Sequence, residues 1–493
     1  MKNSKSKQIK WIVVFSLIAI VGILLTVALL NGGLLDMGII PSEAMTLIFV
    51  FLILLPVLLI ILFVAWMIDK SNSKKTPAVS YVNAASVAIA APVSQGAVSV
   101  PMVAGTVAPP LAMATGASAP AVGIAEEGEE DEDGRRRFCM LSRIDDNKAS
   151  YREKVFDKGV TLKRFCEEFR NYASYKHNLY YDIKDIRRFV AGMAVSQILI
   201  LQGMSGTGKT SLAHAMGSFI ENPSTVIPVQ PMWKERTDLL GYYNEFTKRF
   251  NETLLLEKMY QANYSEDIYV TVLDEMNIAR VEYYFAEFLS LLELPDPNER
   301  YIDVVSDVWE TDPHQLKDGR LKLPYNMWFI GTANNDDSTF AISDKVYDRA
   351  MILNLDEKCE PFTAPKTKNI HISSDNFRAL VKEALKEYEI TKRNLKRLET
   401  LDKYLIEHFH ITFGNRIMKQ IRQYIPVYVS CGGTELEALD DILSKKIIRK
   451  LETQNPVYLR NSAEELCIFI NELFGEDRMP LCQSAIRRLL QNA

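Results

Sequence analysis

The chain has 493 residues, enough for about three folding units at ~150 residues each. Its 57 Lys+Arg against 62 Asp+Glu leave a net charge of −5, which excludes a globally basic nucleic-acid coat while leaving room for a local basic patch. Charged residues at 24% and hydrophobic residues at 48% exclude wholesale disorder.

Cys139, Cys166, Cys359, Cys431, Cys467 and Cys482 lie far apart with no C-x-x-C pair, so reduced thiols are expected rather than a disulfide framework or zinc ribbon. The histidines form no H-E-x-x-H, and His408 and His410 diverge on a helix, which argues against a protein-ligated zinc.

In chain order, the first elements are two apolar spans. Residues 11–30 and 46–68 carry no charge and reach roughly 30 and 34 Å as helices, enough to cross a bilayer. A cleaved signal peptide has a shorter apolar stretch and no second span behind it. Lys2, Lys5, Lys7 and Lys10 precede the pair and Lys70, Lys74 and Lys75 follow it, while the loop between carries only Asp36 and Glu43. Positive-inside bias then makes residues 1–75 a two-span membrane anchor with both termini cytoplasmic.

Residues 76–125 contain no charge and are rich in Ala, Val, Pro, Ser and Gly. Scattered prolines and few Leu, Ile or Phe favour a flexible tether over a third span. The acidic run Glu126–Asp133 and Arg135–Arg137 complete a linker over 76–137, with an ordered body expected from about Phe138.

The apolar run Ser196–Gln202 predicts a buried parallel strand. Directly after it, Gly203-Met204-Ser205-Gly206-Thr207-Gly208-Lys209-Thr210 matches G-x-x-x-x-G-K-[ST], and Ser211 leads into an amphipathic helix. Glycines let backbone N–H groups turn inward around phosphates at a helix N-terminus, where the dipole favours anions. Residues 203–211 are the expected nucleotide-binding stretch, with Lys209 on the β- and γ-phosphates and the Thr210 hydroxyl on Mg²⁺. A second apolar strand, Asp267–Leu273, ends in Asp274-Glu275. Asp274 is expected to share the Mg²⁺ shell, and Glu275 to polarise the attacking water.

These residues resemble an AAA+ ATPase, more narrowly its dynein-related/MoxR-like and McrB-like branch. Leu273–Arg280 looks like that branch's Walker B with its trailing Asn277, and Trp328–Ser338 resembles the sensor-1 strand and turn. The resemblance implies a catalytic sensor at Asn334, with Asn335 the neighbouring alternative. It implies an arginine finger at Arg349, at the end of Ala341–Arg349, acting on a neighbouring subunit; a surface ion pair is the blander reading. Phe413–Ile417 is similar to a sensor-2 turn, which implies that Arg416 reaches its own subunit's phosphates; otherwise it is a solvated helix arginine. Gln230–Tyr242 resembles an insertion near a central pore, where Trp233, Tyr242 and Tyr243 either grip a translocating chain or pack. Residues 295–324 resemble a second, hairpin insertion, with Asp318-Gly319 as its turn. Thr434-Glu435-Leu436-Glu437 forms a capping box opening a helix with Leu436, Leu439, Leu443, Ile447 and Leu451 on one stripe.

The expected fold is therefore α/β: a P-loop AAA+ core with a parallel sheet over 138–358, then a helical lid and C-terminal helices over 359–493. The cofactors implied are Mg²⁺ and ATP. P-loops do not read the base, so GTP stays open, although no N-K-x-D guanine signature appears. A finger acting in trans implies self-association into a ring, a hexamer by resemblance. The foremost reading is a membrane-anchored ATPase that remodels an unknown client, touching lipid through its hairpin. The alternative is the motor of a McrB-like restriction system with a nucleic-acid ligand and a separate nuclease partner. A nucleotide-switched scaffold without turnover is the third reading.

Overall fold

The computed structural model describes residues 136–151, 155–334, 339–356 and 358–492. The expected membrane hairpin, uncharged linker and acidic run lie outside the described residues, as does Asn335. Among the described residues, no helix is long and apolar enough to cross a membrane.

A leading set of helices, α1 (Met140–Asp146), α2 (Leu162–His177) and α3 (Ile183–Val195), precedes strand β1 (Ile198–Gly203). Helix α4 (Lys209–Phe219) and β2 (Thr225–Pro228) follow, then α5 (Thr237–Leu240), the hairpin β3 (Gly241–Asn244) and β4 (Arg249–Glu252), and α6 (Leu254–Ala262). Strand β5 (Tyr269–Asp274) leads through α7 (Val281–Tyr284) and α8 (Ala286–Leu291) to β6 (Tyr301–Asp303), β7 (Leu316–Lys317) and β8 (Arg320–Lys322). Strand β9 (Met327–Asn334), α9 (Asp344–Tyr347) and β10 (Met351–Asn354) close the α/β part. The chain then continues through α10 (Ser374–Glu387), α11 (Lys392–Phe409), α12 (Gly414–Ser430), α13 (Glu435–Lys446), α14 (Pro456–Phe474) and α15 (Pro480–Asn492).

Five strands form one sheet in the order β10-β1-β9-β5-β2, every pair parallel. Their apolar runs are near-continuous because both faces are covered. Leu199 and Leu201 of β1, with Trp328 and Ile330 of β9, pack into the core shared with α2, α3, α4 and the C-terminal helices. Ile198 and Ile200, with Met327 and Phe329, point the other way, into the core that Leu256 and Tyr260 of α6 share with Phe250 of β4 and Leu321 of β8. This alternation is the period-2 geometry of a strand.

Local chemistry sets the element ends. Thr161 and Asp182 cap α2 and α3 with side-chain oxygens. Thr434 and Glu437 form the reciprocal capping box on α13, and Leu439, Leu443, Ile447 and Leu451 are buried along it. Asp318 and Gly319 have φ of 52° and 73°, the left-handed pair that joins β7 to β8. That hairpin gains a third strand, β6, through pairing with β8.

The N-terminal end of the described body is clasped by the β3–β4 hairpin and by the segment before β7. Arg137 is 3% exposed and pairs with Asp312 at 2.5 Å, while its carbonyl accepts the Phe250 N–H at 2.7 Å. The Glu252 carboxylate accepts the N–H groups of Cys139, Met140 and Leu141 at 2.8–2.9 Å.

Gly217, inside α4, is where the helix meets the turn leading to β2. A Cβ there would lie 2.3 Å from Ser224 N and 2.9 Å from Asn222 O. Helix propensity alone favours Gly217→Ala by about 1 kcal/mol. The backbone clash reverses the sign, and a net loss of about 1–3 kcal/mol is expected in chemical denaturation. An unchanged or raised midpoint would show that the turn yields freely.

Candidate nucleotide-hydrolysis site

The sheet brings Gly203, Asp274 and Asn334 to its C-terminal edge, since all three are the last residues of parallel strands. Gly203 stands opposite Asn334 in register, and Leu273 opposite Gly331. Open parallel sheets bind ligands at this edge.

The loop after β1 turns into α4 through Gly208 at φ 88°, a conformation strained for side-chain-bearing residues. No side chain caps α4, so its first N–H groups stay directed at whatever anion the loop receives. Lys209 is 7% exposed, and its Nζ donates to the carbonyls of Gly203 and Met204 at 2.9 and 2.7 Å. Tyr181 Oη donates to Gly208 O at 2.9 Å and buttresses the loop from outside. Burial pushes that phenol well above its ordinary range, so it stays a neutral donor.

Asp274 Oδ1 accepts two hydroxyls, Thr210 Oγ1 at 2.7 Å and Thr332 Oγ1 at 2.8 Å. Thr332 Oγ1 in turn accepts the Glu275 N–H at 2.9 Å. Glu275 has φ 51°, and its side chain is exposed at the strand end. A positive φ in a non-glycine residue costs of order 1–3 kcal/mol and persists only where neighbours over-determine it; the Thr332 bond is one such constraint. Asn277 Nδ2 donates to Asn334 O at 2.9 Å and Thr339 Oγ1 at 3.0 Å, fastening the end of β9 to the segment behind Asp274.

The donor set fits Mg²⁺. One carboxylate and one hydroxyl are hard oxygen ligands, and this metal completes its shell with phosphate oxygens and waters. Among the described residues, no group of three or more His, Cys, Asp or Glu side chains forms a separate metal cluster.

Residues 198–350 match the AAA domain family of the dynein-related subfamily. The chain carries an AAA+ ATPase domain. Residues 367–493 match a second family, described as a domain of unknown function (DUF8727). A Lon protease of Methanosphaera stadtmanae is 27% identical over 233 residues, 47% of this chain. That stretch spans 25% of the Lon protease's own length. Among solved structures, a full-length MCM homolog from Methanopyrus kandleri aligns at 12% identity with a TM-score of 0.33, over 59% of this chain and 62% of its own.

A cleft of about 1280 Å³ lies between the AAA+ loop at Gly206–Gly208 and the C-terminal helices, large enough for a nucleotide. Tyr180, Tyr181, Asn354, Lys445, Arg449 and Arg488 are among its walls, which stop short of Asp274 and Glu275.

Arg349 and Arg416 both lie outside this lining. Arg349 pairs with Glu293 at 2.8 Å and donates to Lys345 O at 2.7 Å, and its Nε has no hydrogen-bond partner. Arg416 pairs with the other oxygen of the same Glu293 carboxylate. Arg416, expected over its own subunit's phosphates, shares the Glu293 carboxylate with Arg349. Helix α12 docks here: Gln420, one turn on from Arg416, donates to Asp348 O at 3.1 Å and holds that helix face against the end of α9.

Of the insertion aromatics, Trp233 packs edge-on against Tyr284 at 5.6 Å and Tyr243 against Trp309 at 6.0 Å. Tyr242 remains 55% exposed, and Phe246, at the tip of the β3–β4 hairpin, 99%. Thr332, Tyr181 and a role for Asn277 were missed from sequence. Thr332 had a readable signal, as a hydroxyl two positions before Asn334 in an otherwise apolar strand.

Proposed function

We propose that the protein is a membrane-anchored ATPase that hydrolyses ATP with Mg²⁺ in a ring, a hexamer by resemblance, and remodels a partner protein. The observation that carries the catalytic part is the Thr210–Asp274–Thr332–Glu275 contact set at the strand ends. Backbone N–H groups of the Gly203–Thr210 loop, with Lys209, bind and orient the triphosphate. Thr210 and Asp274 would hold Mg²⁺, whose charge when bound offsets that of the phosphates. Asn334, opposite Gly203 in the sheet, orients the attacking water. Glu275 takes a proton from that water as its oxygen bonds to the γ-phosphorus and the bond to the leaving diphosphate oxygen breaks. Arg349 lies outside its own cleft and would answer γ-phosphate charge in the neighbouring subunit.

Membrane anchoring and the cytoplasmic placing of both termini rest on the two uncharged spans and the lysines flanking them. The net charge of −5 supports a protein client over nucleic acid. Full-length protein in detergent micelles is expected to hydrolyse ATP only with Mg²⁺ present, at a rate indifferent to added double-stranded DNA. A DNA-stimulated rate would move the weight to a nucleic-acid motor with a separate nuclease. Absence of turnover would leave the scaffold.

A further inference from the structure

The turn carrying Arg349 is short, closed by the Arg349 and Ala350 N–H groups on Val346 O at 3.1 and 2.9 Å. Helix α9 has four residues, too few to be stable alone, and the turn runs straight from it into β10. Yet four successive carbonyls of this turn, Tyr347 to Ala350, each accept a hydrogen bond from a side chain. Lys446 Nζ donates to Tyr347 O at 2.6 Å and also to Ala350 O. Gln420 Nε2 donates to Asp348 O at 3.1 Å, and Ser196 Oγ to Arg349 O at 3.0 Å. Three of these four bonds come from the C-terminal helices. The same surface adds the Arg449 guanidinium 3.9 Å over the Tyr347 ring, the Arg449–Asp344 pair at 2.6 Å and the Lys450–Asp348 pair at 3.4 Å.

Lys446 dominates this clasp. It is 2% exposed, and its hydrogen-bond partners are two carbonyls rather than a carboxylate. Burial drives its ammonium down to about 7; Asp348 favours the charge, while Arg449, Lys450 and Arg416 oppose it. An apolar side chain would be cheaper to bury there, so what the amine adds is the two bonds.

Residues just before and after Lys446 line the cleft. Ser444, Lys445, Ile448 and Arg449 wall the cleft beside the phosphate loop, and so does Tyr347. Tyr347 Oη also accepts a hydrogen bond from Gln202, the residue immediately before the phosphate loop. A single helix end therefore both lines a subunit's own cleft and grips the turn bearing Arg349.

We propose that Lys446 is a positioning residue for Arg349, tying the C-terminal helices that wall a subunit's own cleft to the guanidinium it offers its neighbour. This rests on the reading of Arg349 as a cation acting in trans. Displacing a reacting group by about 1 Å can cost ~100-fold in rate. Lys446→Met keeps length and removes both donors. In the full-length ring it is expected to lower kcat by about ten- to a hundredfold while leaving KM and nucleotide affinity within about twofold. In an Arg349→Ala background the same change is expected to cost nothing further. Mixing Lys446→Met subunits with Lys209→Ala subunits supplies intact fingers from the partner and is expected to restore turnover per competent site.

If mixed Arg349→Ala and Lys209→Ala rings show no rescue, the trans reading itself falls, and this proposal with it. If that pair is rescued but Lys446→Met rings keep full kcat, or lose activity that Lys209→Ala subunits do not restore, Lys446 does not position the finger. Should Lys446→Met fail to bind nucleotide, Lys446→Gln, which keeps an amide donor, is put through the same mixture with the same two outcomes.

Discussion

Replacing Glu275 by Gln is expected to leave nucleotide binding intact and to lower turnover by roughly 10²–10⁴-fold, the usual worth of a positioned general base. The geometry separates two adjacent carboxylates by task. Asp274 Oδ1 is occupied by the hydroxyls of Thr210 and Thr332, which suits a metal-shell ligand. Glu275 is exposed and makes no ion pair among the described residues, so its oxygens remain available to water. Gln keeps the shape and the Thr332-bound backbone N–H but cannot accept a proton at this pH. Hydrolysis is measured as released phosphate, and binding by fluorescence of a labelled ATP analogue. Full turnover with intact binding would remove Glu275 from the base role.

Arg349→Ala is expected to have the largest effect, a loss of about 10³–10⁵-fold if it matches the worth of arginine fingers elsewhere. In the single chain, Arg349 and Arg416 share the Glu293 carboxylate, and all three side chains are partly open to water. For the finger to act, a charge-assisted contact with a neighbour's phosphate has to replace the Glu293 pair. Lys209→Ala subunits lack a working site but carry an intact finger, and Arg349→Ala subunits the reverse. Mixed rings are expected to recover turnover that neither variant shows alone. Arg416→Ala should join the same complementation group as Arg349→Ala, since both sit on one carboxylate. Recovery for Arg349 but not for Arg416 would return Arg416 to its own subunit's nucleotide.

What could be read from the chain was what depends on near neighbours. The phosphate loop, the strand ending in Asp274, the Asp318-Gly319 turn and the Thr434 capping box all follow from residues within one turn or one strand of each other. What could not be read depends on how distant elements dock. Thr332 reaches Asp274 only because β9 lies beside β5 with Leu273 opposite Gly331. Gln420 meets Asp348 O, 72 positions earlier in the chain, only because α12 docks on the end of α9. The clasp on Tyr347–Ala350 is built from backbone acceptors, which every residue has, so no sequence pattern announces it.

The Arg137 clasp has a mechanical consequence. The chain enters the folded body through a guanidinium bound to Asp312 and a carbonyl bound to the β3–β4 hairpin, with Glu252 holding the next three N–H groups. The entering chain is thus held at once to the β3–β4 hairpin and to the segment before β7, while Phe138, Leu141 and Ile144 bury directly in the core beneath the sheet.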